Sequence, residues 1–114
     1  MTEWQDQEAR NETVFRDLNE WTREENDLRL GVHRLLDTYL CECGDRRCTE
    51  PIELTPGEYE EIRTEPLRFL IALNHENPDS DTVLIENARF ATVEKIYGEP
   101  SRIARATDPR RSTT

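Results

Sequence analysis

The sequence predicts an α+β fold: an N-terminal amphipathic helix, followed by a small antiparallel sheet with one short capped helix. Three observations carry that reading. A heptad-spaced series runs through the N-terminal third, short β-rich segments follow from residue 36 onward, and "LTPGEYEEI" is a strong helix-start signal. The boundaries that follow are a helix over residues 1–31, a body over 32–98 and a flexible basic tail over 99–114.

In the helix, Trp4, Gln7, Asn11, Val14, Leu18, Trp21, Glu25, Leu28, Val32 and Leu35 recur three and four residues apart. This is a heptad seam whose apolar part lies in its middle and far end, with Phe15 widening it beside Val14 and Leu18. Polar Gln7, Asn11 and Glu25 on the seam argue against a long, tight coiled coil. Gly31 marks the helix end. "LLDTYLCEC" then alternates as a strand leading into a loop, and "PIEL" is a second short strand.

Thr55 is an N-cap, Pro56 occupies the first helical position and Glu58 completes a capping box. Leu54 and Tyr59 are placed to form a hydrophobic staple, and the helix over residues 56–64 must end before Pro66. Tyr59 and Ile62 fall on its inner face. Residues 67–73 read as a strand, "NHENPDSD" as a loop, and residues 82–97 as a hairpin around Asn87-Ala88.

Composition bounds the function. Of the 114 residues, 34% are hydrophobic and 35% charged, so the core is modest and a cross-link or metal would matter. The net charge of −10 divides into −5 over residues 1–30, −8 over 31–100 and +3 over 101–114. An acidic body repels phosphate backbones, which disfavours broad nucleic-acid binding and suits basic protein surfaces or simple solubility. No apolar run approaches a membrane span and the N-terminus is acidic rather than signal-like, so a cytoplasmic location is expected.

All three cysteines lie within eight positions, as Cys41-x-Cys43-x4-Cys48. In a reducing compartment an odd, clustered set reads as metal ligation, and three thiolates on a tight loop suit tetrahedral zinc. Gly44 lets the chain turn beneath the metal and aim amides at the sulfurs, and Arg46 and Arg47 can offset their charge. His75, opening a polar loop just past a strand, is the first candidate for the fourth ligand. His33, a carboxylate (Asp45 or Glu42) and water are the alternatives. Buried free cysteines and a [2Fe–2S] cluster are competing readings of the thiols.

"RNETVFRDLNE", "CECGDRRCTEPIELTPGEYEEIRTEPLRF", "NHENPDSDTVLIENARFATVEK" and "ATDPR" resemble a group of small uncharacterised bacterial proteins. That group shares an Arg-Asn-Glu helix, a C-x-C-x4-C segment, an L-T-x-x-E-Y helix, a later Gly-His and a V-E-K strand. The resemblance spans roughly residues 10–110. It implies a zinc-binding type of fold with Cys41, Cys43, Cys48 and His75 as ligands, Asn74 standing where the group has glycine. It lends no activity.

The expected function is therefore a small non-enzymatic zinc protein, the zinc structural, acting as an interaction or regulatory module. Trp4, Val14, Leu18 and Trp21 form its expected contact face, covered by a partner protein or by a second copy as a weak homodimer. Two alternatives remain open. One is a nucleic-acid-binding zinc protein, supported only by Arg102, Arg105, Arg110 and Arg111, and the other is a thiol redox switch. No nucleophile–base constellation, phosphate loop or paired-carboxylate pattern marks an enzyme.

Overall fold

The computed structural model describes residues 3–31, 34–45, 47–48, 50–96 and 98–110, the side chains of residues 3–6 excepted. His33 and the Trp4 side chain, both singled out above, lie outside the described residues. The elements are α1 (Glu3–Leu30), β1 (Asp37–Leu40), β2 (Pro51–Leu54), α2 (Pro56–Ile62), β3 (Arg68–Ile71), β4 (Asp81–Glu86), β5 (Ala91–Lys95) and α3 (Glu99–Ala106). The fold is α+β, with a long N-terminal helix, antiparallel sheets and short helices. No described helix is long and apolar enough to cross a membrane.

Local chemistry sets the element ends. Gly31 closes α1 at φ 81°, its N–H donating to the Asp27 carbonyl at 3.2 Å. At α2 the capping box is complete: the Glu58 N–H donates to Thr55 Oγ1 at 3.1 Å, and the Thr55 N–H to Glu58 Oε1 at 2.8 Å. β1 and β2 pair antiparallel, Asp37 opposite Leu54 and Leu40 opposite Pro51, so the cysteine loop is the connection of a hairpin. β3, β5 and β4 form a second antiparallel sheet in that order, with a bulge between Val83 and Ile85. The core joins both sheets and α2. Tyr39 stacks on Tyr59 with ring centroids 4.3 Å apart, over buried Leu54, Phe69, Leu70, Ile71 and Val93.

One expectation needs correction. Residues 99–106 are helical rather than a flexible tail. Ser101 Oγ accepts from the Gly98 N–H at 3.1 Å, Ala104 is buried, and beyond the helix Asp108 pairs with Arg63 inside the protein. Arg110 binds both Glu20 and Glu60, so opposite charges hold a segment with little apolar surface. The apolar stripe of α1 lies on the side away from the body. The helix lies against β1 and α3 but adds no side chain to the hydrophobic cluster. Its inward face is Ala9, Glu12, Arg16, Asn19 and Glu20, whereas Val14, Leu18 and Trp21 are 54%, 45% and 60% exposed. The apolar seam faces water.

The inward contacts of α1 are polar and specific. The Arg16 guanidinium donates to the carbonyls of Pro66 at 2.8 Å and Ala104 at 2.9 Å, and lies over the Phe69 ring. Glu12 pairs with Lys95, which also donates to Asp81 at 2.5 Å. Burial pushes the Glu12 carboxyl up to about 8, Lys95 offsetting part of the rise. Burial opposes the Lys95 charge, yet the Glu12 and Asp81 carboxylates outweigh it and raise its pKa.

Both shifts act with the same sign. A pKa raised on folding gives stability that is present at low pH and lost as pH rises through the folded value. The stability held by Glu12 should therefore fall between about pH 4.5, its ordinary value, and about pH 8, while that held by Lys95 is lost only at strongly alkaline pH. Glu12→Gln, which mimics the protonated side chain, should flatten that fall. An unchanged slope in Glu12→Gln, measured by circular dichroism melts across the range, would show that Glu12 does not govern it.

Candidate metal centre

β1 delivers the chain to Cys41, whose N–H donates to the Glu50 carbonyl at 3.2 Å and so carries the hairpin one step further. The next residue turns the other way. Glu42 is fully buried, its N–H donating to the Leu70 carbonyl at 2.7 Å. Its carboxylate accepts from the Leu70 N–H at 2.9 Å, Asn19 Nδ2 at 2.8 Å and the Tyr59 hydroxyl at 2.8 Å. Glu42 thus fixes the cysteine loop to β3, α1 and α2 at once. With both oxygens engaged it is no ligand, which removes one alternative raised by the sequence.

Cys41 and Cys43 flank Glu42 and reach Cys48 and His75. One ligand atom from each of these four residues lies within 4.8 Å of the other three. His75 Nδ1 is 3.5 Å from Cys41 Sγ and 3.5 Å from Cys48 Sγ. The turn that presents the imidazole is closed by the His75 N–H donating to the Ala72 carbonyl at 3.1 Å. Asn74 takes φ 66°, a left-handed conformation that asparagine tolerates and most side chains do not. Asp45 is not in the cluster: its Oδ1 accepts from the Arg47 N–H at 2.9 Å.

Each sulfur also receives a backbone amide: Ala72 on Cys41 at 3.1 Å, Asp45 on Cys43 and Glu50 on Cys48. N–H groups aimed at sulfur favour thiolate over thiol and neutralise part of the charge that three thiolates bring to one ion. Without an ion the three groups share protons unequally. The hydrogen bond from Cys41 holds the Cys43 thiol down to about 5, while giving that bond, together with burial, raises Cys41. Burial raises Cys48. Arg47 is exposed and turned toward Asp45, so the amides rather than its guanidinium face the sulfurs. Arg46 lies outside the described residues.

The cluster sits under the N-terminal half of α1. Asn11 Nδ2 donates to the Gly44 carbonyl at 2.8 Å, and Asn19 exchanges two bonds of 2.8 Å with the backbone of Leu40. An open depression of about 840 Å³, lined in part by Gln7, Glu8, Gly44 and Arg47, leads to Cys43 and His75. Glu42, Asn11 and Asn19 support the site without being marked as supports in the sequence. Their only signal was polar residues at helical spacing and a carboxylate between two cysteines.

No family model, curated protein or solved structure matches the chain.

Gly44 offers a direct check of this packing. At φ 85°, a β-carbon added there would lie 2.5 Å from Glu8 Cγ and 2.9 Å from the Glu8 carbonyl oxygen. Gly31 has a similar φ of 81° with nothing within 4 Å. Gly31→Ala should cost about 1 kcal/mol of backbone strain, and Gly44→Ala should cost clearly more, through lost contact with α1. Equal losses in urea unfolding midpoints would contradict the close approach of loop and helix.

Proposed function

We propose that this protein is a small non-enzymatic interaction module in which a structural zinc ion is held by Cys41, Cys43, Cys48 and His75. The observation that carries the proposal is the mutual spacing of the four ligand atoms. For zinc, with Zn–S of about 2.3 Å and Zn–N of about 2.0 Å, a tetrahedron has an S···N edge of about 3.5 Å and an S···S edge of about 3.8 Å. The two S···N separations of 3.5 Å fit that figure. A [2Fe–2S] cluster spreads its ligands over two irons, which suits this convergence on one point less well. Four protein ligands leave no open position for water or substrate, the arrangement of a structural site. A reducing, cytoplasmic setting keeps such thiols available.

The contact surface proposed is the outward stripe of α1, Val14, Leu18 and Trp21. Two large apolar groups and a valine left exposed on one helix face form a surface suited to another protein. The basic C-terminal residues support nucleic-acid binding less, because Arg110 is already bound by Glu20 and Glu60, and Arg102 by Glu99.

One purified preparation tests both parts. The expected result is a colourless protein with one zinc per chain that self-associates weakly in light scattering. Leu18→Ser with Trp21→Ser should make it monomeric and leave zinc content unchanged. Visible iron–sulfur colour would refute the zinc assignment. A parent protein monomeric at high micromolar concentration would exclude self-pairing and leave a different protein as the partner.

A further inference from the structure

We infer that occupancy of the Cys/His site clamps the N-terminal half of α1 to the body, and that emptying it releases residues 7–15 about a hinge at Arg16. The inference rests on the metal reading above and extends it to regulation.

This half of the helix is held by polar contacts with both ligand-bearing segments. Glu8 accepts two bonds from Asn77 Nδ2, at 3.0 and 2.8 Å, and Asn77 lies two residues after His75. Asn11 donates to the carbonyl of Gly44, which directly follows Cys43. The backbone of Glu8 packs so closely on Gly44 that no β-carbon fits between them. Both ligand-bearing segments therefore carry α1 contacts. Glu12–Lys95 and the Thr13–Thr107 hydroxyl pair tie residues 7–15 to other parts of the body.

From Arg16 onward the anchors are of another kind. Arg16 binds two carbonyls remote from the loop, Glu20 binds Arg63 and Arg110, Arg23 lies beside Glu60, and Asn26 donates to Asp37 at 2.9 Å. Asn19 does touch the loop, but these neighbours bracket it. The helix is thus tied twice, once through segments whose shape the ion sets and once through charge pairs that the ion does not touch.

Energetics make the first tie releasable. Residues 7–15 bring no side chain to the hydrophobic cluster, so lifting them uncovers little core. Polar groups freed from such an interface are re-solvated by water, and a buried ion pair adds little net stability once its desolvation is counted. With the ion bound, segments 41–48 and 75–77 are cross-linked and present a fixed seat. Without it, nothing cross-links the two segments through the four side chains, and the seat loses its fixed shape. Release at Arg16 would split the outward stripe between Val14 and Leu18, so partner binding becomes metal-dependent.

Hydrogen exchange on the full chain tests this, comparing zinc-loaded protein with protein stripped by a chelator and verified by metal analysis. Amides of residues 7–15 should exchange at least about tenfold faster after stripping, with β3 and β5 changed less than about twofold. Asn11→Ala, still zinc-loaded, should show accelerated exchange in the same stretch with metal content retained. If residues 7–15 keep their protection after verified zinc loss, or if every element loses protection together, the clamp is refuted while the zinc site stands. A chain that takes up no metal refutes the site and the clamp together.

Discussion

Three thiols and an imidazole converge on one point from two segments more than twenty-five residues apart, and much of the structure is arranged around that convergence. Thiolates gathered this closely repel one another unless a cation and hydrogen-bond donors compensate. The backbone supplies the donors, one amide to each sulfur, from Ala72, Asp45 and Glu50. These amides come from β3's exit, the cysteine loop and the approach to β2. The site therefore ties together the two-stranded and three-stranded sheets. Glu42, fixed between two ligands and hydrogen-bonded to three other elements, makes the same connection from the core side.

A second theme is how a chain this charged folds with so little apolar material. Its hydrophobic cluster occupies the space between the sheets and α2, and the long helix is attached through buried charge instead. Glu12–Lys95–Asp81 seats one part of α1, and Glu20, Arg63, Arg110 and Asp108 join its middle to α2 and to the segment after α3. Such pairs contribute less net stability than apolar packing but strongly disfavour any register that leaves a charge unpaired. Attachment by polar groups also leaves the apolar stripe of α1 free on the outside. One helix thus carries specificity inward and an exposed apolar stripe outward.

Much of this was legible in the sequence where the determinants are local. The Thr55–Glu58 capping box, the Gly31 stop and the hairpin strands depend on neighbours in sequence, and each is found within a few residues of its expected limits. The candidate ligands were legible because soft donors are scarce: three cysteines, two histidines and one tight loop leave few combinations. What could not be read depends on distant charges. α3 has too little apolar surface to announce itself, and the segment after it is anchored ninety residues away on α1. The inward face of α1 repeats with the same period as its apolar seam, through Glu12, Arg16, Asn19 and Arg23. Hydrophobic periodicity marks the exposed stripe, while the buried face is carried by polar residues that such a pattern does not register.

The account rests on four ligands forming one tetrahedral site, and cobalt(II) substitution probes that geometry directly. Cobalt titrated into the metal-free chain should give intense visible bands of tetrahedral coordination with sulfur charge-transfer absorption, saturating at one equivalent. His75→Ala should shift those bands while three sulfurs remain. Weak octahedral absorption, or bands indifferent to His75, would contradict the account.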